Sequence, residues 1–99
     1  MGSRMQAQKE MLRLLISGRV QQVGYRDWVI RKAQSMGITG WVRNLSDGRV
    51  EAVAAGDEEA LAVFLETCRE GPRLARVDDI DVHPVHERPV KGFTKRFTA

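Results

Sequence analysis

The run Gly18-Arg19-Val20-Gln21-Gln22-Val23-Gly24-Tyr25-Arg26 holds the residue types and spacing best suited to chemistry in this chain. It joins an apolar alternating run to a helical pattern, so it falls between a strand end and a helix start. Backbone N–H groups at such a junction lack helical partners, and the helix dipole turns its positive end toward them. A phosphate is the ligand this arrangement suits. Arg26, in the first helical turn, adds a planar guanidinium fork that matches two phosphate oxygens. Spacing alone favours a tight surface turn with a solvated arginine, because a Gly-rich turn by itself is a weak motif.

A second run, Gly40-Trp41-Val42-Arg43-Asn44-Leu45-Ser46-Asp47-Gly48-Arg49-Val50-Glu51, places Asn44 beside an Asp-Gly turn. Asn44 reads either as a turn asparagine bonded to its own backbone or as an amide that donates to and accepts from a water. Other signals point away from chemistry. His83 and His86 are three apart with Pro84 between them, on an extended segment with no third ligand nearby, so a zinc site is not expected. Cys68 falls on the apolar stripe of a helix and reads as an inert buried thiol. Asp78, Asp79 and Asp81 put acids on both faces of their strand, as a solvated edge strand would.

The elements that must position these residues follow from periodicity. Residues 11–17 alternate as a strand, with Leu12, Leu14 and Ile16 on one face. Residues 25–36 change to helical spacing through Tyr25, Trp28, Val29, Ala33 and Met36, and Gly37 stops the run. Residues 39–45 and 50–55 are strands about the Asp47-Gly48 turn. A second helix starts at Asp57, an N-cap residue followed by Glu58 and Glu59, and runs to Gly71-Pro72. Its stripe is Leu61, Phe64, Leu65 and Cys68. Residues 77–85 form a strand, and residues 92–98 have the pattern for a short terminal one. The order β-α-β-β-α-β, plus that last strand, is an α+β ferredoxin-like two-layer sandwich: an antiparallel sheet with both helices on one face.

The chain has 99 residues, enough for one domain, and a domain this size buries roughly 65% of its unfolded surface. Met1-Gly2-Ser3-Arg4-Met5 reads like an expression scar ahead of a start at Met5. Residues 1–8 are expected to be a disordered or vector-derived tail, and residues 9–99 the domain. Sixteen basic residues against 13 acidic give a net charge of +3, which permits an anionic ligand without demanding one. No apolar run approaches a membrane span. A lone cysteine without a signal peptide points to the cytoplasm. A ferredoxin-like RNA binder would carry aromatic pairs on its open sheet face, and the strand over 49–55 has no aromatic residue. A soft-metal carrier would carry Cys-x-x-Cys after the first strand, where there is no cysteine.

Together, the Gly18–Arg26 and Gly40–Glu51 runs resemble the acylphosphatases. That family's pattern is G-x-V-Q-G-V-x-[FY]-R, then G-x-V-x-N and an Asp-Gly turn. The resemblance extends over nearly the whole chain, about 90 residues by the element order it shares. It implies a hydrolase that cleaves the carboxyl-phosphate bond of acyl phosphates, giving a carboxylate and inorganic phosphate without a cofactor or metal. By position it makes Arg26 the catalytic phosphate-binding arginine and Asn44 the catalytic water-orienting asparagine. It makes Val20, Gln21, Gln22, Val23, Gly24 and Tyr25 the substrate-binding cradle. The expected partners are a small acyl phosphate and inorganic phosphate, the latter as product and inhibitor. A monomer that binds neither nucleic acid nor membrane is expected. Gln22 stands where the family usually has glycine, which leaves a catalytically weak or inactive binding module as the alternative.

Overall fold

Alternation of apolar residues drives the first strand, β1 (Lys9–Arg19), in which Leu14 and Ile16 are fully buried. The computed structural model describes residues 9–99, so the expected tail, residues 1–8, lies outside the described residues. β1 ends in a bulge between Ser17 and Gly18. Gly18 has φ +129°, and a Cβ there would sit 2.1 Å from the Arg76 carbonyl oxygen, so only glycine fits. The chain then turns through residues 20–24 into α1 (Tyr25–Ser35), which buries Tyr25, Val29 and Ala33 at four-residue intervals. β2 (Thr39–Asn44) and β3 (Val50–Asp57) form a hairpin about the Asp47-Gly48 turn. α2 (Glu58–Glu70) buries Leu61, Phe64 and Cys68. Asp57 occupies the N-cap of α2 in extended geometry but makes no side-chain capping bond; its carboxylate lies 3.8 Å from Lys9 Nζ.

The chain closes with β4 (Arg76–Pro84) and β5 (Phe93–Lys95), and the sheet order is β4-β1-β3-β2-β5. β4 is an edge strand, in line with its charged pattern. Both helices cover one face of the sheet, where Val29, Ala33, Leu61, Phe64 and Cys68 pack with Leu14, Ile16, Val42, Val50, Ala52, Ala54 and Ile80. The expected ferredoxin-like layers are therefore present, but the sheet is mixed rather than wholly antiparallel, because β5 pairs with β2 in parallel. Connectivity explains the difference. β4 finishes beside the start of β1, with Val85 N–H donating to the Met11 carbonyl. Residues 85–92 follow that end of the sheet to the far edge, where Gly40 N–H donates to the Gly92 carbonyl. A strand leaving from that end must run the same way as β2.

Central placement between β1 and β2 buries β3 almost entirely, including Glu51 on the face away from the helices. A buried carboxylate needs partners. Arg13 Nε and Arg43 Nε supply them, at 2.6 Å and 2.7 Å from its two oxygens. Burial raises the Glu51 pKa, but the hydrogen bonds from Arg43 and Arg13 outweigh it and hold the carboxyl below its ordinary value.

Candidate active site

The loop between β1 and α1 is held from below by side chains and left open along its backbone. Val20 is buried in the core and Val23 packs against it. Tyr25, also buried, donates its hydroxyl to the Cys68 carbonyl at 2.7 Å. That carbonyl lies in the last turn of α2, and its usual donor four residues on would be Pro72, which has no N–H. Tyr25 therefore satisfies a carbonyl that the sequence leaves orphaned and ties the start of α1 to the end of α2. Burial, followed by the adjacent Cys68, raises the Tyr25 pKa well above the ordinary tyrosine value. Burial likewise pushes the Cys68 thiol up to about 12, so it is no nucleophile at neutral pH.

Gln21 fixes the loop on its other side. Its amide nitrogen donates to the carbonyls of Leu45 (2.8 Å) and Arg49 (2.9 Å), clasping the β2–β3 turn. Thus the loop meets the Asn44 region even though β3 lies between β1 and β2 in the sheet. Gln22 is exposed and adopts φ 63°, the left-handed conformation that glycine would favour. Gly24, the N-cap of α1, has φ 79° and no side chain to cap the helix. Among the described residues, no backbone N–H from Gln21 to Asp27 donates to a protein carbonyl, the first intrahelical bond being Trp28 N–H to Gly24 O. The six expected cradle residues thus divide by role. The side chains of Val20, Val23, Tyr25 and Gln21 anchor the loop, whereas Gln22 and Gly24 face outward.

Arg26 is half-buried and lines a cleft of about 530 Å³ with Arg43, Lys95, Arg96, Phe97 and Thr98. The residues after β5 reach this cleft by running along β2: Arg96 N–H donates to the Val42 carbonyl and Ala99 N–H to the Asn44 carbonyl. Asn44 lies at the seam. Arg43 before it lines the cleft, and Leu45 after it accepts from Gln21. The side-chain oxygen of Asn44 is buried and has no hydrogen-bond partner among the described residues. It makes no turn-type bond to its own backbone. Such an acceptor is costly unless a donor reaches it. A larger hollow, about 650 Å³, lies at the opposite end of β1 between Met11, Leu12, Val85 and Pro89, and contains none of these residues.

Sequence reasoning missed the cleft. Lys95 and Arg96 have no acid near them in sequence, yet Lys95 Nζ meets Asp27 at 2.8 Å. Arg96 stacks on Trp41, its guanidinium 4.4 Å from the ring centroid, and Arg43 lies 5.0 Å from the same ring. The pairing of β5 with β2 brings these residues together, and no sequence period announces it. The clasp of Gln21 was equally hidden, but Pro72 four residues after Cys68 was a readable sign that a distant donor was needed.

The profile of the Acylphosphatase family matches residues 12–97. An acylphosphatase of Acidiphilium cryptum is 50% identical over 86% of this chain and 93% of its own length. One from Thermus thermophilus is 51% identical over 80% of this chain and 90% of its own. The solved structure of an acylphosphatase from Coxiella burnetii superposes with a TM-score of 0.84 at 34% identity, covering 89% of this chain and 93% of that one. With the profile spanning both motifs and every strand and helix but for the first three residues of β1, this chain belongs to the acylphosphatase family.

Proposed function

We propose that this protein hydrolyses acyl phosphates, with the phosphoryl group seated on the loop from Val20 to Tyr25 and against Arg26. The observation that carries the reading is the uncapped start of α1, where the backbone N–H groups from Gln21 to Asp27 have no acceptor among the described residues and lie beside Arg26. That is an anion-binding surface. The side-chain amide of Asn44, at the seam between the loop and the cleft, orients the attacking water and holds it in line. Water oxygen bonds to phosphorus, the bond from phosphorus to the acyl oxygen breaks, and the electron pair leaves with a carboxylate. Because a carboxylate is a weak base, its departure needs no general acid and no metal to neutralise it. Phosphoryl transfer then depends on positioning and on charge stabilisation at the equatorial oxygens, which the N–H groups and Arg26 supply. A phosphate oxygen takes the water's proton.

Gln22 in the left-handed conformation keeps its N–H in the loop, which favours an active enzyme over a binding module. Inorganic phosphate, the product, inhibits by occupying the same loop. The protein works as a monomer in the reducing cytoplasm, in keeping with its lone buried Cys68. No helix among the described residues is long and apolar enough to cross a membrane. The test is phosphate release from acetyl phosphate in the presence of EDTA, beside an alkyl phosphate. Turnover of the acyl phosphate alone, undiminished by EDTA, is expected. Equal rates on both substrates, or activity abolished by EDTA and restored by Mg²⁺, would overturn the mechanism.

A further inference from the structure

The cleft that begins at Arg26 carries more positive charge than one phosphoryl group uses. Four of its six lining residues are cationic and none is acidic. Two of those cations are already matched, Arg43 by Glu51 and Lys95 by Asp27. Arg26 and Arg96 have no carboxylate within ion-pair distance among the described residues. Arg96 is nonetheless held in place. Its backbone is bonded to Val42, and its guanidinium rests on the ring of Trp41, itself buried. A guanidinium stacked in this way loses little freedom on binding an anion. Phe97, almost fully exposed, supplies an apolar wall beside it.

We infer that this cleft is a second anion subsite, centred on Arg96, which selects acyl phosphates whose acyl group carries a further anionic group. The inference rests on the seating of the phosphoryl group at the loop and Arg26. From there the acyl portion extends into the cleft, across Phe97, and its distal carboxylate or phosphate meets Arg96. Arg43 and Lys95 add longer-range attraction that their own partners partly offset.

The test compares rigid substrates that cannot cyclise: 3- and 4-carboxybenzoyl phosphate against the matching neutral carboxamides, each corrected for its uncatalysed hydrolysis. At low ionic strength the unmodified protein should favour at least one carboxylate over its carboxamide by about tenfold in kcat/KM, mainly through KM, as one charge-assisted hydrogen bond would give. Raising the salt should shrink that ratio. Arg96→Gln should bring the ratio close to one, and Arg96→Glu should invert it. Because each ratio is internal to one variant, a partial loss of fold does not mimic the effect. Carboxamides hydrolysed as fast as both carboxylates by the unmodified protein would overturn the subsite while leaving the acylphosphatase reading intact. So would a ratio unmoved by Arg96→Glu. Failure to hydrolyse any of the four would overturn both.

Discussion

Replacing Gln22 by glycine should stabilise this protein, against the usual expectation for a substitution to glycine. Gln22 sits at φ 63° with an exposed side chain that makes no hydrogen bond among the described residues. A non-glycine residue in the left-handed region costs about 1–2 kcal/mol. Glycine relieves that cost but gives the unfolded chain more freedom, worth about 0.4–1 kcal/mol in the opposite sense. The balance lies between zero and about 1.6 kcal/mol of added stability, centred near 0.8. For a domain of this size, that centre corresponds to a rise in Tm of about 3–6 °C. Thermal unfolding followed by far-UV circular dichroism measures it. Gln22→Val, which forces a β-branched residue into the same conformation, should lower Tm instead. Because position 22 lies within the proposed phosphate loop and the N–H is kept in both variants, Gln22→Gly should leave kcat/KM unchanged or raise it by up to about tenfold. A lower Tm for Gln22→Gly, or equal Tm values for the valine and glycine variants, would refute the argument from strain. A large loss of activity in Gln22→Gly would show that the glutamine side chain itself takes part.

Three further outcomes follow from the same contacts. Tyr25→Phe should cost about 1–2 kcal/mol by leaving the Cys68 carbonyl without a donor. Since the folded pKa of Tyr25 is raised, its contribution is present below the unfolded tyrosine value near 10 and is lost as pH climbs above it, so the variant's alkaline unfolding should be less steep. Glu51→Gln should cost about 1–3 kcal/mol at pH 7 by denying Arg13 and Arg43 their shared carboxylate. The folded pKa of Glu51 is lowered, so its stabilisation holds above the unfolded carboxyl value and fades as pH falls below about 4, where urea unfolding of the two proteins should converge. Gln21→Ala removes both bonds to the β2–β3 turn and should raise KM and lower kcat together, because loop and Asn44 lose their common fixing point. Steady-state kinetics on benzoyl phosphate checks it, and a change in KM alone would confine Gln21 to the loop.

The sequence made the two layers legible because each element carried one clear period and a matching stop. The Leu12–Leu14–Ile16 alternation and the Leu61–Phe64–Cys68 stripe both face the core. The loop could be placed as well, since a strand ending at glycine and a helix starting at Tyr25 leave little choice for residues 20–24. What escaped was set by pairings between distant residues. The parallel course of β5 depends on how residues 85–92 travel along the end of the sheet, and three residues of strand carry no directional signal. The Lys95–Asp27 ion pair and the stacking of Arg96 on Trp41 depend on that course. The conformation of Gln22 was open for a similar reason: a polar residue in a turn takes either sign of φ, and only the closed path from Gly18 to Tyr25 decides it.

The division of labour between Asn44 and Arg26 is the centre of the account, and one set of kinetics tests it. Phosphate release from benzoyl phosphate in EDTA should be measured for the unmodified protein, Asn44→Ala and Arg26→Ala, with thermal unfolding alongside. Removing the buried, unpartnered oxygen of Asn44 should leave Tm no lower, while kcat drops about a hundredfold or more and KM changes little. Arg26→Ala should raise KM and lower kcat, because phosphate charge is present in both ground and transition states. Should Asn44→Ala keep its kcat, or lose it only by unfolding, the asparagine does not orient the water and the proposed site is wrong.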